Sequence, residues 1–384
     1  TVTGTISNYV DQTINIARTS ADANDTDDSD GTAVAITPKT DSTADNVAVK
    51  LSAIGVDTQI AAGQSGLDLL NIASFESLNL TANASALGAK PNEVESITST
   101  NLKTAVIDGT GSLETAFVGT KLTSIDASGL AGALTLTAPA SKLDVKMAQS
   151  ASTVAFGATL NASDTVTGGA GTTDKVTATV TGLTATTGAL SIADVETIEL
   201  TTYGNNTIAL AGVTGLKTLT VTDNKQTITG FDLTDTISLG TAADASATSS
   251  EIDVTAADAT GTADTLTVKL NDTAGATDSI IDATGIENLD LQVQSTNGAT
   301  LDLTTFEGDA ITLGVKAGVT ATGAVALGTQ HKNMDSLTST YKAAVTASFA
   351  SASDSVTFTG AGTGIQNITG GARADTFNIG ATGA

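Results

Sequence analysis

One four-residue motif recurs along the chain and restricts the folds that it can adopt. The motif is an apolar residue, a Glu, a small polar residue and a second apolar residue, and its copies begin at Phe75, Val94, Val195 and Ile286. Shortened copies without the Glu begin at Leu122 and Leu216. Steps of 19, 28 and 21 residues separate neighbouring copies. Because these are the lengths of single turns in a β-helix, the motif predicts a stack of similar turns.

A longer period overlies the short one. Glu95, Glu196 and Glu287 are 101 and 91 residues apart, which indicates modules of about 90–100 residues. We therefore expect an N-terminal Thr- and Asp-rich segment at 1–45, β-repeat modules at 46–163, 164–260 and 261–353, and C-terminal Gly-Asp turns at 354–384. The chain starts without Met and ends at Gly383-Ala384, so we expect it to be a fragment of a longer protein.

Short runs of alternating apolar and polar residues predict half-buried strands. Such runs lie at 134–136, 218–221, 266–270 and 356–358. Apolar residues make up 40% of the 384 residues but aromatic residues only 3%, which suits narrow stacked turns better than a large globular core. The predicted fold class is all-β, an elongated β-solenoid or parallel β-helix-like array. Only 57–73 and 335–350 show weak helical spacing, and each is expected to form a short helix or a loop.

The Glu of the motif has three open interpretations. Apolar residues two apart share one face of a strand, but here a Glu and a small polar residue separate them. The strand is therefore expected to change the face that it buries, as bulged strands do at the corners of a solenoid. The Glu then caps the turn of a neighbouring rung, binds Ca²⁺, or is simply solvated.

Gly-Asp turns are the candidate metal sites. Gly168, Gly169, Gly171 and Asp174 nearly fit the calcium-binding nonapeptide G-G-x-G-x-D-x-apolar-x, with one residue inserted before the Asp. Glycines permit a positive φ, and the carboxylate and carbonyl oxygens suit Ca²⁺. A degraded turn upstream ends in Asp164, and the two turns are expected to cage one ion.

A similar turn near the C-terminus contains Gly370, Gly371 and Asp375, although Arg373 replaces its third glycine. Weaker copies lie at 261–266 and 275–280. For 157–176 and for 261–280, a Gly-Asp turn without metal is the alternative.

Charge and cysteine content exclude several classes of function. The formal net charge is −25, from 41 acidic and 16 basic residues, which excludes nucleic-acid binding through a basic surface and argues against docking on anionic lipid. Bound Ca²⁺ would neutralise part of this charge, whereas solubility alone is the simpler explanation. There is no Cys, so disulfides and thiolate metal sites are excluded. No apolar run approaches the roughly 20 residues of a membrane helix, so no membrane insertion is expected.

The Gly-Asp turns followed by Glu-bearing strands, in an acidic, Cys-free chain rich in Thr, Ala, Ser and Gly, resemble the RTX family. The chain is most similar to RTX-type surface-layer proteins of Gram-negative bacteria, and the similarity covers about residues 72–384. It implies type I secretion, Ca²⁺-dependent folding outside the cell, and self-assembly into a two-dimensional lattice on lipopolysaccharide. The chain departs from the family pattern at the inserted residue before Asp174 and at Arg373.

Enzymatic activity is not expected. The single histidine, His331, has neither a Cys nor a second His to complete a familiar metal site or triad. The first alternative to a surface-layer subunit is an RTX adhesin that binds glycans or other cells. The second is a β-helical polysaccharide lyase or hydrolase, which requires clustered acids and bases in a cleft.

Overall fold

The computed structural model describes residues 2–10, 12–17, 32–52, 67–84, 91–181, 188–222, 224–239, 250–270, 279–294, 299–315, 323–329, 333–360 and 364–379. Every regular element in these ranges is a β-strand. The chain forms two compact units. The first comprises Thr1–Ala178, Ser191–Thr197 and Val213–Gly215, and the second comprises Thr179–Leu190, Ile198–Gly212 and Leu216–Ala384.

Sixteen described strands lie wholly or mainly in the first unit. They are β1 Val2–Tyr9, β2 Thr13–Ala17, β3 Thr32–Pro38, β4 Asn46–Ser52, β5 Leu67–Asn71, β6 Ser77–Asn83, β7 Asn92–Thr98, β8 Thr104–Gly109, β9 Leu113–Val118, β10 Ser124–Leu130, β11 Leu134–Thr137, β12 Asp144–Lys146, β13 Thr153–Ala155, β14 Thr165–Thr167, β15 Lys175–Thr181 and β16 Ser191–Ala193.

Strands of the first unit pair with the next strand but one, always in parallel. The odd-numbered strands form one sheet. The even-numbered strands form a second sheet. One odd strand, the following even strand and the two corners between them therefore make one rung of a parallel stack. Register is kept from rung to rung: Val145 pairs with Ile125 on one side and with Val166 on the other.

The second unit contains seventeen described strands. They are β17 Thr197–Tyr203, β18 Asn206–Ala209, β19 Thr218–Val221, β20 Asn224–Phe231, β21 Thr236–Leu239, β22 Ser250–Ala256, β23 Thr265–Leu270, β24 Ser279–Thr284, β25 Asn288–Val293, β26 Ala299–Asp302, β27 Ala310–Val315, β28 Val325–Thr329, β29 Ser336–Ser339, β30 Val345–Ser348, β31 Thr357–Gly360, β32 Gln366–Thr369 and β33 Thr376–Ile379.

The second unit repeats the same pairing rule. Odd strands from β19 to β33 form one parallel sheet, and even strands from β18 to β32 pair in parallel opposite them. Paired positions build apolar columns through the stack. One column consists of Leu266, Leu289, Ile311, Leu337 and Phe358, each at most 1% exposed.

The core of each unit lies between its two sheets. Along β23 every second side chain is buried, as period-2 alternation requires. Aliphatic side chains fill most of this narrow interior, and aromatic residues appear at a few corners and columns. Tyr9 and Phe75, for example, meet edge to face with ring centroids 5.6 Å apart.

The all-β, parallel solenoid class predicted from the sequence is confirmed. The helix or loop expected at 335–350 is wrong, because Ser336–Ser339 and Val345–Ser348 are strands. Leu337 extends an apolar column, so stacking on neighbouring rungs overrides the weak local spacing. Of the other segment, 57–66 lies outside the described residues and Leu67–Asn71 is a strand. None of the described residues belongs to a helix able to cross a lipid bilayer. The module boundaries stay predictions.

Candidate functional site: the corner carboxylates

Six of the acidic side chains that lie immediately before a strand make the same contact with the preceding rung. We call them the corner carboxylates. Each accepts a hydrogen bond from the backbone N–H of the corner residue one rung earlier: Glu76 from Asp45 (2.9 Å), Asp164 from Leu143 (2.9 Å), Asp174 from Ser152 (2.8 Å), Glu196 from Asp174 (2.8 Å), Glu287 from Asp264 (2.9 Å) and Asp375 from Val356 (2.9 Å). The donors lie 19 to 31 residues earlier in the chain.

The backbone beside each corner carboxylate completes a two-point contact. The residue after the carboxylate donates its N–H to the carbonyl of the same corner residue, as Thr197 does to Asp174 (3.0 Å). The same bond recurs at the other five corners: Ser77 to Asp45, Thr165 to Leu143, Lys175 to Ser152, Asn288 to Asp264 and Thr376 to Val356. Both backbone polar groups of the corner residue are thus paired, although it lies just outside the strand ladder.

Aspartates at the corners also tie their own turn. The second carboxylate oxygen of Asp174 accepts the N–H of Gly169 (2.7 Å), and that of Asp375 accepts the N–H of Gly371 (2.8 Å). Asp164 does the same with Asn161 (2.9 Å). One short side chain therefore joins two successive rungs and also closes the Gly-containing turn that leads into its strand.

Burial sets the electrostatics of these groups. Asp164 and Asp174 are 2% and 0% exposed, and desolvation raises the pKa of both carboxyls. The amide hydrogen bonds lower each pKa and offset part of this effect. Asp45, the corner residue that donates its N–H to Glu76, is different, because hydrogen bonds from Ser42 hold the pKa of its carboxyl below the ordinary range. The buried aspartates are thus acceptors whose charge is stabilised mainly by N–H dipoles.

The predicted calcium residues fall into separate corners. Asp164 precedes β14 of the even sheet, whereas Asp174 precedes β15 of the odd sheet. Each turn stacks on its own neighbour, that of Asp164 on Leu143 and that of Asp174 on Ser152. The structure therefore does not bring the two turns together in the way that the sequence suggested. Gly370, Gly371 and Asp375 lie together in one turn beside β33.

The glycines of the predicted motif allow the chain to lie close to adjacent rungs, and they do not adopt a left-handed backbone conformation. None of Gly168, Gly169, Gly171, Gly370 and Gly371 has a positive φ, so the predicted reason for these glycines is wrong. A Cβ on Gly168 would lie 1.7 Å from a backbone oxygen of Asp194, and one on Gly169 would lie 1.5 Å from a backbone oxygen of the rung below. Only glycine allows the chain to pass this near to the adjacent rungs.

Calcium does not fit the carboxylates as they stand. Ca²⁺ requires six to eight oxygen ligands, but both oxygens of Asp174 and of Asp375 already accept backbone N–H groups. Those N–H dipoles direct positive charge at the positions a cation would take. Across the ranges that the structure describes, no three acidic or histidine side chains converge as a metal-binding group.

The capping interpretation of the repeated Glu is confirmed for Glu76, Glu196 and Glu287. These three Glu residues precede their strands, so the change from one buried face to the other occurs at the corner. The bulged strand that the sequence predicted there is wrong. Glu95 behaves differently, since it is exposed within β7, where the register with β9 shifts between Val94 and Ile97. Sequence reasoning missed that Asp164, Asp174 and Asp375 play the same part. The available signal was an acid directly before β14, β15 and β33.

A shallow surface depression next to the Glu76 corner is lined by Asp41, Asn101, Lys103 and Lys121 among others. The carboxylate of Glu76 is bonded to the Asp45 amide there, and Lys121 donates to Asn101 (2.9 Å). His331 lies outside the described residues.

Fold and site together define a class, the parallel β-solenoids, here with rung corners closed by carboxylates. Comparison with known protein families, with characterised proteins and with solved structures gives no significant match.

Proposed function

We propose that the protein is a structural subunit of a bacterial surface layer, which self-assembles on the outside of the cell. This proposal is supported by the contacts that the repeated acidic side chains make. The carboxylates of Asp174, Glu196 and Glu287 accept hydrogen bonds from backbone amides at corners, so these side chains join neighbouring rungs. Repetition of one stabilising contact along a stack suits a building element better than a catalyst.

The last described rung carries exposed apolar side chains, which either a further rung of a longer chain or a second copy of the protein would cover. Phe377 and Ile379 of β33 are 46% and 64% exposed, and Ile365 beside β32 is 80% exposed. Phe377 pairs with Phe358 and so continues an apolar column to the surface. Sheet edges with exposed apolar side chains pair readily with other chains, and head-to-tail contacts of one surface with a different one generate extended arrays.

In this proposal Ca²⁺ binds exposed carboxylates. The bound ions would reduce the repulsion that arises from a net charge of −25. Lipopolysaccharide as the anchor and type I secretion follow from the family resemblance and are part of the same proposal.

Electron microscopy of the purified protein, with and without millimolar Ca²⁺, tests the proposal. We expect ordered sheets, and we expect Phe377→Asp to prevent their formation. Val118→Asp is the matched control, because Val118 is 55% exposed on the first unit. A protein that stays monomeric by light scattering at every concentration and calcium level contradicts the structural role. Glycan binding by such a monomer would favour the adhesin, and release of oligosaccharides would favour the lyase.

A further inference from the structure

In the corners expected to bind calcium, each carboxylate oxygen of Asp174 and of Asp375 already accepts a backbone N–H. We propose that the corner carboxylates fix the register of successive rungs without metal, so that the turns around Asp174 and Asp375 fold and remain closed in the absence of Ca²⁺. This inference is independent of the proposed assembly, because it concerns contacts within one chain.

Hydrogen bonds at the corners run continuously from one rung to the next. Ser152 donates its N–H to Asp174, and Asp174 donates its own N–H to Glu196. Two carboxylates therefore connect three consecutive rungs through amide donors. Rotating either carboxylate toward a cation would leave a buried N–H without an acceptor, which costs about 1–3 kcal/mol for each group.

The turns leave little space around the carboxylates. A Cβ placed on Gly168 would lie 3.1 Å from Oδ2 of Asp174, and one placed on Gly370 would lie 2.2 Å from Oδ2 of Asp375. The backbone of each turn therefore lies directly against the carboxylate that would be the main ligand. Ca²⁺ binds oxygen at 2.3–2.6 Å with several further ligands around it, which requires room on that side of the carboxylate.

The same contact recurs in a different sequence context. Asp264 and Glu287 in the second unit repeat the contact of Asp174 and Glu196, with N–H to carboxylate distances of 2.9 and 2.8 Å. Asp45 and Glu76 repeat it again at 2.9 Å, although no calcium nonapeptide precedes Asp45. The contact therefore forms whether or not the local sequence looks like a calcium turn.

Hydrogen exchange of the full chain, followed by mass spectrometry at peptide resolution, tests the inference. In wild-type protein we expect the amides of Ser152, Gly169 and Asp174 to exchange at the same rate in EGTA and in millimolar Ca²⁺. Glu196→Ala should accelerate exchange at Asp174 about tenfold, because one charge-assisted hydrogen bond is lost. Glu196→Gln keeps an acceptor oxygen and should have a smaller effect. Glu114→Ala, an exposed position within β9, should change nothing at these amides.

Two outcomes overturn the inference. The first is faster exchange of the three amides in wild-type protein on chelation alone. The second is a Ca²⁺-dependent slowing of exchange that Asp174→Asn abolishes. If Glu196→Ala fails to fold, Glu287→Ala with exchange at Asp264 provides the same measurement in the second unit.

Discussion

Replacing Asp174 by Asn separates the structural role of the carboxylate from its size. Asp174 is fully buried, and its two oxygens accept the N–H groups of Ser152 at 2.8 Å and Gly169 at 2.7 Å. An Asn side chain has nearly the same shape but only one acceptor oxygen, and its NH₂ group is a donor. One of the two backbone amides must therefore face another donor.

The expected loss of stability follows from the loss of one acceptor oxygen. Loss of one charge-assisted hydrogen bond costs about 1.5–3 kcal/mol, and the unpaired amide adds to it. Removing a buried charge returns part of this cost, since burial raises the pKa of the Asp174 carboxyl. We expect a net local destabilisation of about 2 kcal/mol, which corresponds to roughly thirtyfold faster exchange at one amide.

Hydrogen exchange distinguishes this reasoning from general loosening. Only one of the two amides, Ser152 or Gly169, should lose protection, because the Asn oxygen still satisfies the other. Asp144→Asn is the control, since Asp144 is exposed and accepts only a hydroxyl hydrogen bond, from Thr165. Unchanged protection at both amides would refute the assigned role of the carboxylate, and so would equal loss at both.

Three further substitutions test other parts of the structure. Burial and a neighbouring carboxylate raise the pKa of Asp235 to about 6; the folded state thus binds this proton more tightly than the unfolded state, and stability falls as pH rises from about 4 through 6. Asp235→Asn should flatten that slope in urea titrations at several pH values, and an unchanged slope would contradict the assignment. Gly169→Ala should destabilise the protein by about 3 kcal/mol, whereas Gly4→Ala, whose Cβ would meet only one side chain at 3.9 Å, should be nearly neutral in the same denaturation assay. Phe358→Ala should cost about 3–5 kcal/mol because Phe358 is 1% exposed, while Phe377→Ala should cost under about 1 kcal/mol; similar melting shifts for the two would argue against the apolar column.

The sequence was informative wherever the signal was periodic. Alternation at 218–221 and 266–270 predicted strands that the structure contains as β19 and β23. Alternation failed at 335–350, where weak helical spacing masked two short strands. Strands of four residues carry too little pattern to be recognised alone, and their pairing with rungs about 20 residues away determines their conformation.

For the corners, the sequence by itself determined where the Glu-bearing motif and the Gly-Asp turns recur. Composition and turn-length repeats also determined the solenoid class, because short aliphatic strands bury themselves only by stacking. Tertiary structure alone decided what the acids contact. The partner of Glu196 is the amide of Asp174, 22 residues earlier, and that pairing depends on the register between rungs. In the sequence, an acidic residue is equally compatible with binding a calcium ion and with accepting a backbone N–H. Only the neighbouring rung supplies the N–H donor that determines which of the two partners the carboxylate has.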